Sequence, residues 1–261
     1  MTRLLARRNG ALYVVMLFAV GVVACGGGSA PEQGAAPPAA APTTSPVDPA
    51  TAGSISGKIT FAGTAPAPRV LSTDSDENCK TDGPPITDES LLVGADGGVK
   101  DVFVYVKDGL GTMRFPIPST PIVLDQKGCH YIPHVFGVQV GQPVEVRNSD
   151  STLHNIHAIP KANQEFNQGQ PLVGMKMTHV FSTAEVMLPF KCDVHPWMHS
   201  YVGVLDHPFY AVTAPDGTFT IKGLPPGTYT IETWQEKLGT QTQMVTVGAK
   251  ETKEVAFSYH L

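Results

Sequence analysis

The chain has 261 residues, 42% hydrophobic and 16% charged, with a formal net charge of −5. That is enough apolar material for one large or two small domains, which excludes a globally disordered chain. The acidic balance argues against nucleic acid as a partner. Arg3, Arg7 and Arg8 make a basic start, Ala11 to Ala24 is almost wholly apolar, and Cys25 follows. This pattern reads as a secretory signal peptide over residues 1–25, its apolar stretch too short for a membrane span. The whole chain holds 26 Gly and 23 Pro, and beyond the leader short runs rich in Val, Thr, Ile and Tyr lie between them. The body therefore reads as all-β, many short strands joined by turns.

The end of the leader, Val22-Val23-Ala24-Cys25 followed by three glycines, resembles the lipobox of bacterial lipoproteins. The resemblance implies cleavage before Cys25 and lipid attachment at its sulfur. The protein would then be extracytoplasmic, anchored to a bacterial membrane on the periplasmic side or cell surface. Loss of the leader removes three Arg and no acids, leaving 15 Lys and Arg against 23 Asp and Glu, a charge of −8. Residues 26–52 are rich in Ala, Pro, Gly, Ser and Thr and read as a disordered tether.

From Ser54 the pattern is strand-like. Ile55, Ile59 and Phe61 alternate with polar positions, as do Val102, Val104 and Val106, and a polar Pro/Gly-rich stretch holding Cys79 separates the two. Near the C terminus, residues 218–221 and 228–231 alternate around a Gly223-Leu224-Pro225-Pro226-Gly227 turn, and 243–247 supplies a further strand. Asp216-Gly217 and the run from Phe219 to Trp234 resemble the second half of carboxypeptidase regulatory-like domains, small transthyretin-like β-sandwiches. Their first half usually begins with a strand such as Gly53 to Thr60. The resemblance implies one sandwich made from 53–118 with 207–261, and another domain inserted at 119–206. Two sequential domains, with 53–118 as the first strands of the middle one, are the simpler alternative.

Residues 119–206 carry the chemistry. Tyr131 to Ala158 reads as strand, turn, strand and polar loop leading to His154-Asn155, and Thr178 to Leu205 as two strands, a loop and a closing strand. That loop, Cys192-Asp193-Val194-His195-Pro196-Trp197-Met198, puts thiolate, imidazole and thioether within seven residues. With the distant imidazole of His154 the set becomes His₂Cys plus a weak axial Met, which selects copper. A thioether is a poor zinc ligand, and structural zinc sites take four Cys or His. One type 1 copper is the expected cofactor.

The stretch from Tyr131 to Leu205 resembles the copper-binding half of the amicyanin and plastocyanin members of the cupredoxin family, in its His-Asn pair and its Cys-x-x-His-Pro-x-Met loop. The resemblance implies a Greek-key cupredoxin β-sandwich with copper on His154, Cys192, His195 and Met198. Asn155 would lie beside the metal, its backbone hydrogen-bonding the thiolate. The edge of His195 would meet a partner through the Pro196-Trp197 surface, making Trp197 a docking patch.

With Cys25 assigned to lipid and Cys192 to metal, Cys79 and Cys129 remain as the disulfide expected in an oxidising compartment. His157 and His199 read as surface residues, and His130 and His134, near Cys129, as weaker metal candidates. The expected function is a membrane-anchored carrier that exchanges single electrons with a redox protein such as a cytochrome or dehydrogenase. A copper enzyme would need further His-rich sites with His-x-His pairs, and the nine His include none, so an enzyme is not expected. The alternative is a copper-handling or adhesive scaffold protein without redox shuttling.

Overall fold

The computed structural model describes residues 46–80 and 85–261. The expected leader, the Cys25 lipid site and the tether up to residue 45 lie outside the described residues. Sixteen strands follow in order among the described residues, starting with β1 (Gly53–Phe61) and β2 (Phe103–Asp108). Next come β3 (Ile122–Gln126), β4 (Tyr131–Ile132), β5 (Val135–Gln139), β6 (Pro143–Asn148), β7 (His154–Ala158) and β8 (Phe166–Gln170). Then follow β9 (Lys176–Val180), β10 (Glu185–Lys191), β11 (His199–Leu205), β12 (Tyr210–Val212) and β13 (Thr218–Leu224). The last three are β14 (Gly227–Gln235), β15 (Gly239–Val247) and β16 (Thr252–Tyr259). The fold is all-β.

The strands build two sandwiches. In one, the sheet β13-β1-β16 faces the sheet β12-β2-β14-β15. Here β1 runs antiparallel to β13 and parallel to β16, so residues from both ends of the folded segment share a sheet. The alternation read from the sequence puts Ile55, Ile59, Phe219, Ile221, Tyr229 and Ile231 into one core with Val245 and Phe257. Val47 packs against this core and the N–H groups of Thr51 and Ala52 donate to Asp48 O, so ordered chain begins before position 53.

The second sandwich sets β5-β11-β10-β7-β8 against β4-β3-β6-β9, with β5 parallel to β11 and β3 parallel to β6. Successive strands cross repeatedly from one sheet to the other. Leu124, Phe136, Val146, Ile156, Leu188, Phe190 and Val202 fill its core. Each such fully buried side chain contributes roughly 1.5–3 kcal/mol.

β2 departs from simple alternation, because Phe103 to Val106 are all buried. Val104 and Val106 face the first core, whereas Phe103 and Tyr105 pack with Val135, Met187 and Leu205 of the other sandwich. The seam is flat because Gly203 of β11 pairs with Gly137 of β5. Phe103 and Tyr210 stack at 5.5 Å over this pair. A Cβ on Gly203 would fall 2.2 Å from Phe103, and one on Gly137 2.3 Å from Tyr210. Gly203→Ala is therefore expected to lower stability by about 1–3 kcal/mol, read as a lower urea midpoint at unchanged slope. The loss in the double variant with Phe103→Leu should be smaller than the sum of the two single losses.

Candidate metal centre

His154 opens β7, at the end of a loop anchored by Asn148. Asn148 Nδ2 donates to the carbonyls of Thr152 (2.9 Å) and Gln170 (2.8 Å), and its Oδ1 accepts from Asp150 N (2.9 Å). So placed, the Asp150 carboxylate accepts the N–H of Gly128 (2.7 Å) and of Cys129 (2.8 Å) and stands 2.9 Å from His154 Nε2. An imidazole nitrogen facing a carboxylate carries its proton, so Nε2–H is fixed outward and Nδ1 faces the interior.

The connection between β10 and β11 supplies the other donors. Cys192 N donates to Met198 O (3.0 Å), Met198 N to His195 O (2.9 Å), and His195 N to Cys192 Sγ (3.4 Å). These bonds fold the loop onto itself and bring His195 Nδ1 to 2.9 Å from His154 Nδ1 and 3.8 Å from Cys192 Sγ. His154, His195 and Cys192 are 0%, 1% and 2% exposed, and Met198 is buried in the same core.

Two imidazole nitrogens 2.9 Å apart need one proton or one cation between them. Burial opposes charge on His154, but Asp150 and the Cys192 sulfur outweigh it and push the group up to about 9. Burial, with the His154 charge, pulls His195 down. Burial also acts to raise the Cys192 thiol, yet His154 and the N–H groups of Asn155, His195 and Val194 hold it below its ordinary value. Asn155 further accepts from Asp193 N through Oδ1 (2.7 Å), pinning the start of the loop to β7. A buried thiol inclined to ionise and two facing imidazoles form a donor set suited to copper.

The outer edge of His195 is covered, which corrects the expectation of an open ring edge. Its Nε2 lies 3.1 Å from Asp76 Oδ2 and 3.7 Å from Cys79 Sγ. Cys79 is bonded to Cys129, with Cα atoms 5.7 Å apart, and this bond straps the segment around residue 76 across the site. Trp197 is half-buried, its ring 5.1 Å from that of His195 and its Nε1 donating to Cys129 O (3.1 Å). With Pro196, Arg69, Leu71 and Asp88 it walls an open cleft of about 500 Å³.

His157 is held between Asp193 (3.0 Å) and Glu165 (2.8 Å), and His130 pairs with Glu89 (3.0 Å). His134 and His199 gather about Glu236, a group separate from that of His154, Cys192 and His195. Asp150 and Asp76 touch the rings of His154 and His195, and sequence reasoning missed both. Asp150 stands four residues before His154 in an ordinary Asn-Ser-Asp turn, and Asp76 is 119 residues from the ring it touches. Neither carries a local signal.

A family model described as the carboxypeptidase regulatory-like domain matches residues 202–260. Solved structures similar to the chain include a copper-containing nitrite reductase from Thermus scotoductus SA-01, at 20% identity over 36% of this chain and 24% of that one, TM-score 0.32. The Cu(I) form of an amicyanin variant matches at 24% identity over 34% of this chain and 85% of its own, TM-score 0.30. A purple cupredoxin from Nitrosopumilus maritimus matches at 28% identity over 32% of this chain and 98% of its own, TM-score 0.27. The chain thus spans about a quarter of the nitrite reductase's length. No curated protein sequence matches the chain.

Because Asp150 orients His154, Asp150→Asn is expected to weaken Cu(II) binding about 10- to 100-fold. Competition with a chelator of known affinity measures this, and an unchanged affinity would remove Asp150 from the site.

Proposed function

We propose that this chain is an extracytoplasmic, lipid-anchored blue-copper protein that passes single electrons. The observation that carries the reading is the buried convergence of His154 Nδ1, His195 Nδ1 and Cys192 Sγ, with the two nitrogens 2.9 Å apart. One copper ion would be held by these atoms together with the Met198 thioether. Bound copper supplies the Cu(II)/Cu(I) couple.

The chain's own residues supply the setting. The loop's internal hydrogen bonds and the two sandwich cores keep the ligands fixed and dry, so little rearranges when charge changes. Asp150 and Asp76 orient the two rings from outside, and the N–H of Asn155 draws charge from the thiolate. A partner approaches through the cleft beside Trp197, whose ring contacts His195. A charge of −8 after loss of the leader suits a basic redox protein, such as a cytochrome or a dehydrogenase. No catalytic step is assigned to the chain. A copper-handling or adhesive scaffold role is the second reading, and the strap over His195 Nε2 is what favours it.

Titrating the purified full chain with Cu(II) tests the first reading. A strong thiolate-to-copper visible band is expected, bleached by ascorbate and restored by an oxidant. Cys192→Ser should abolish the colour, whereas Met198→Leu should keep it and raise the potential. Binding of colourless Cu(I) alone would move the assignment to copper handling.

A further inference from the structure

We propose that His134, His199 and Glu236 form a second metal site, for a borderline divalent cation of the zinc class, tying the two sandwiches together. His134 lies between β4 and β5, His199 begins β11, and Glu236 sits in the turn between β14 and β15. The first two therefore come from one sandwich and the third from the other. Their ligand atoms all lie within 4.8 Å of one another.

Hydrogen bonding fixes which nitrogen each ring offers. His134 Nδ1 faces the carbonyl oxygen of His199 (3.2 Å), and His199 Nδ1 faces that of Trp197 (3.0 Å). A ring nitrogen facing a carbonyl must donate, so both Nδ1 atoms carry hydrogen, and a cation entering beside Glu236 would take the two Nε2 atoms in place of any proton there. This backbone-held tautomer is the usual one behind a metal-bound imidazole.

Both Nε2 atoms point at one carboxylate. His134 Nε2 is 2.9 Å from Glu236 Oε2, and His199 Nε2 is 3.2 Å from Glu236 Oε1. His199 Nε2 is buried and has no hydrogen-bond partner despite that short approach. An imidazolium N–H would make that bond, whereas a shared cation leaves the geometry as found. The frame is stiff before any metal arrives. Tyr201 N donates to His134 O (2.9 Å), and Gln235 Oε1 accepts Lys237 N (2.7 Å) and Leu238 N (2.9 Å), shaping the turn that carries Glu236. Glu89 Oε2, 4.0 Å from His134 Nδ1, adds negative charge nearby. Two imidazoles and a carboxylate without sulfur match zinc-type coordination, with a position left for water.

Metal-free full chain is incubated with Zn(II), freed of excess by gel filtration and assayed for zinc beside Glu236→Gln and His134→Gln. One more zinc per chain is expected in wild type than in either variant. Zinc taken up at Cys192 cancels in this difference, so the result is separate from the copper reading. Equal zinc in all three overturns the site. Zinc at a hundredfold excess over its Kd should also raise the wild-type Tm by about 5 °C more than that of Glu236→Gln, and equal rises overturn it. Should the variants not fold, X-ray absorption at the zinc edge of wild type decides. Zinc bound by nitrogen and oxygen alone is expected, and a sulfur neighbour on every zinc overturns the proposal.

Discussion

Two imidazole nitrogens held 2.9 Å apart in a dry interior, with a thiol beside them, are the constraint on which the rest of the structure depends. Two ring nitrogens at that separation need a proton or a cation between them, and a buried polar atom left unsatisfied costs about 1–3 kcal/mol. The chain meets that cost from outside the cluster. Asp150 sits behind His154, Asp76 sits behind His195, and Asn155 holds the turn after Cys192. Asp150 does two things at once, since the N–H groups it accepts belong to Gly128 and Cys129, and Cys129 is one end of the disulfide. The orientation of one ligand and the anchoring of the strap over the other thus share a single carboxylate.

The packing that holds this arrangement comes from both sandwiches. β11 is the common member, since it begins at His199 directly after the Cys192–Met198 loop and carries Gly203 at the seam. Phe103 and Tyr210 lie flat on Gly203 and Gly137, which leaves β11 little freedom to shift along its length. Rigidity at the loop therefore derives partly from aromatic rings of the other sandwich. That is a physical use for a second β-sandwich beside the Cys192–Met198 loop, independent of any binding role of its own.

Much of the fold was legible because its signals are local. Ile55, Ile59, Phe219 and Ile221 announce strands by period-two burial, and those positions are indeed core. The spacing from Cys192 to Met198 was legible because a short loop between two strands must bring its own residues together. The invisible parts depend on contacts across the chain. Nothing local to Phe103 and Tyr105 says that both faces of β2 will be covered, because the covering residues are Val135, Met187 and Leu205. Asp76 was invisible as a partner of His195 for the same reason. Its segment is polar and rich in turn formers, which reads as solvated loop, and the Cys79 disulfide with the Thr152 Oγ1–Asp76 hydrogen bond turns it into a lid. Val47 is a smaller case, a single apolar residue in a tether-like composition that still finds a core to join.

In the proposed electron carrier, the strap would set two demands against each other. A ring edge open to water shortens the path to a partner but lets solvent reorient around the ligand at each change of charge. Covering His195 Nε2 with a fixed carboxylate replaces mobile water dipoles by a charge that does not move, which would lower the rearrangement accompanying each electron in that role. The same cover lengthens the distance a partner must span. Trp197 relieves part of that conflict, because its ring contacts His195 on one side and borders the open cleft on another. Its Nε1 bond to Cys129 O ties it to the disulfide that holds the strap down. Insulation and access therefore share a support, and a change that loosens the strap also moves the one aromatic side chain through which the buried ligand meets the cleft.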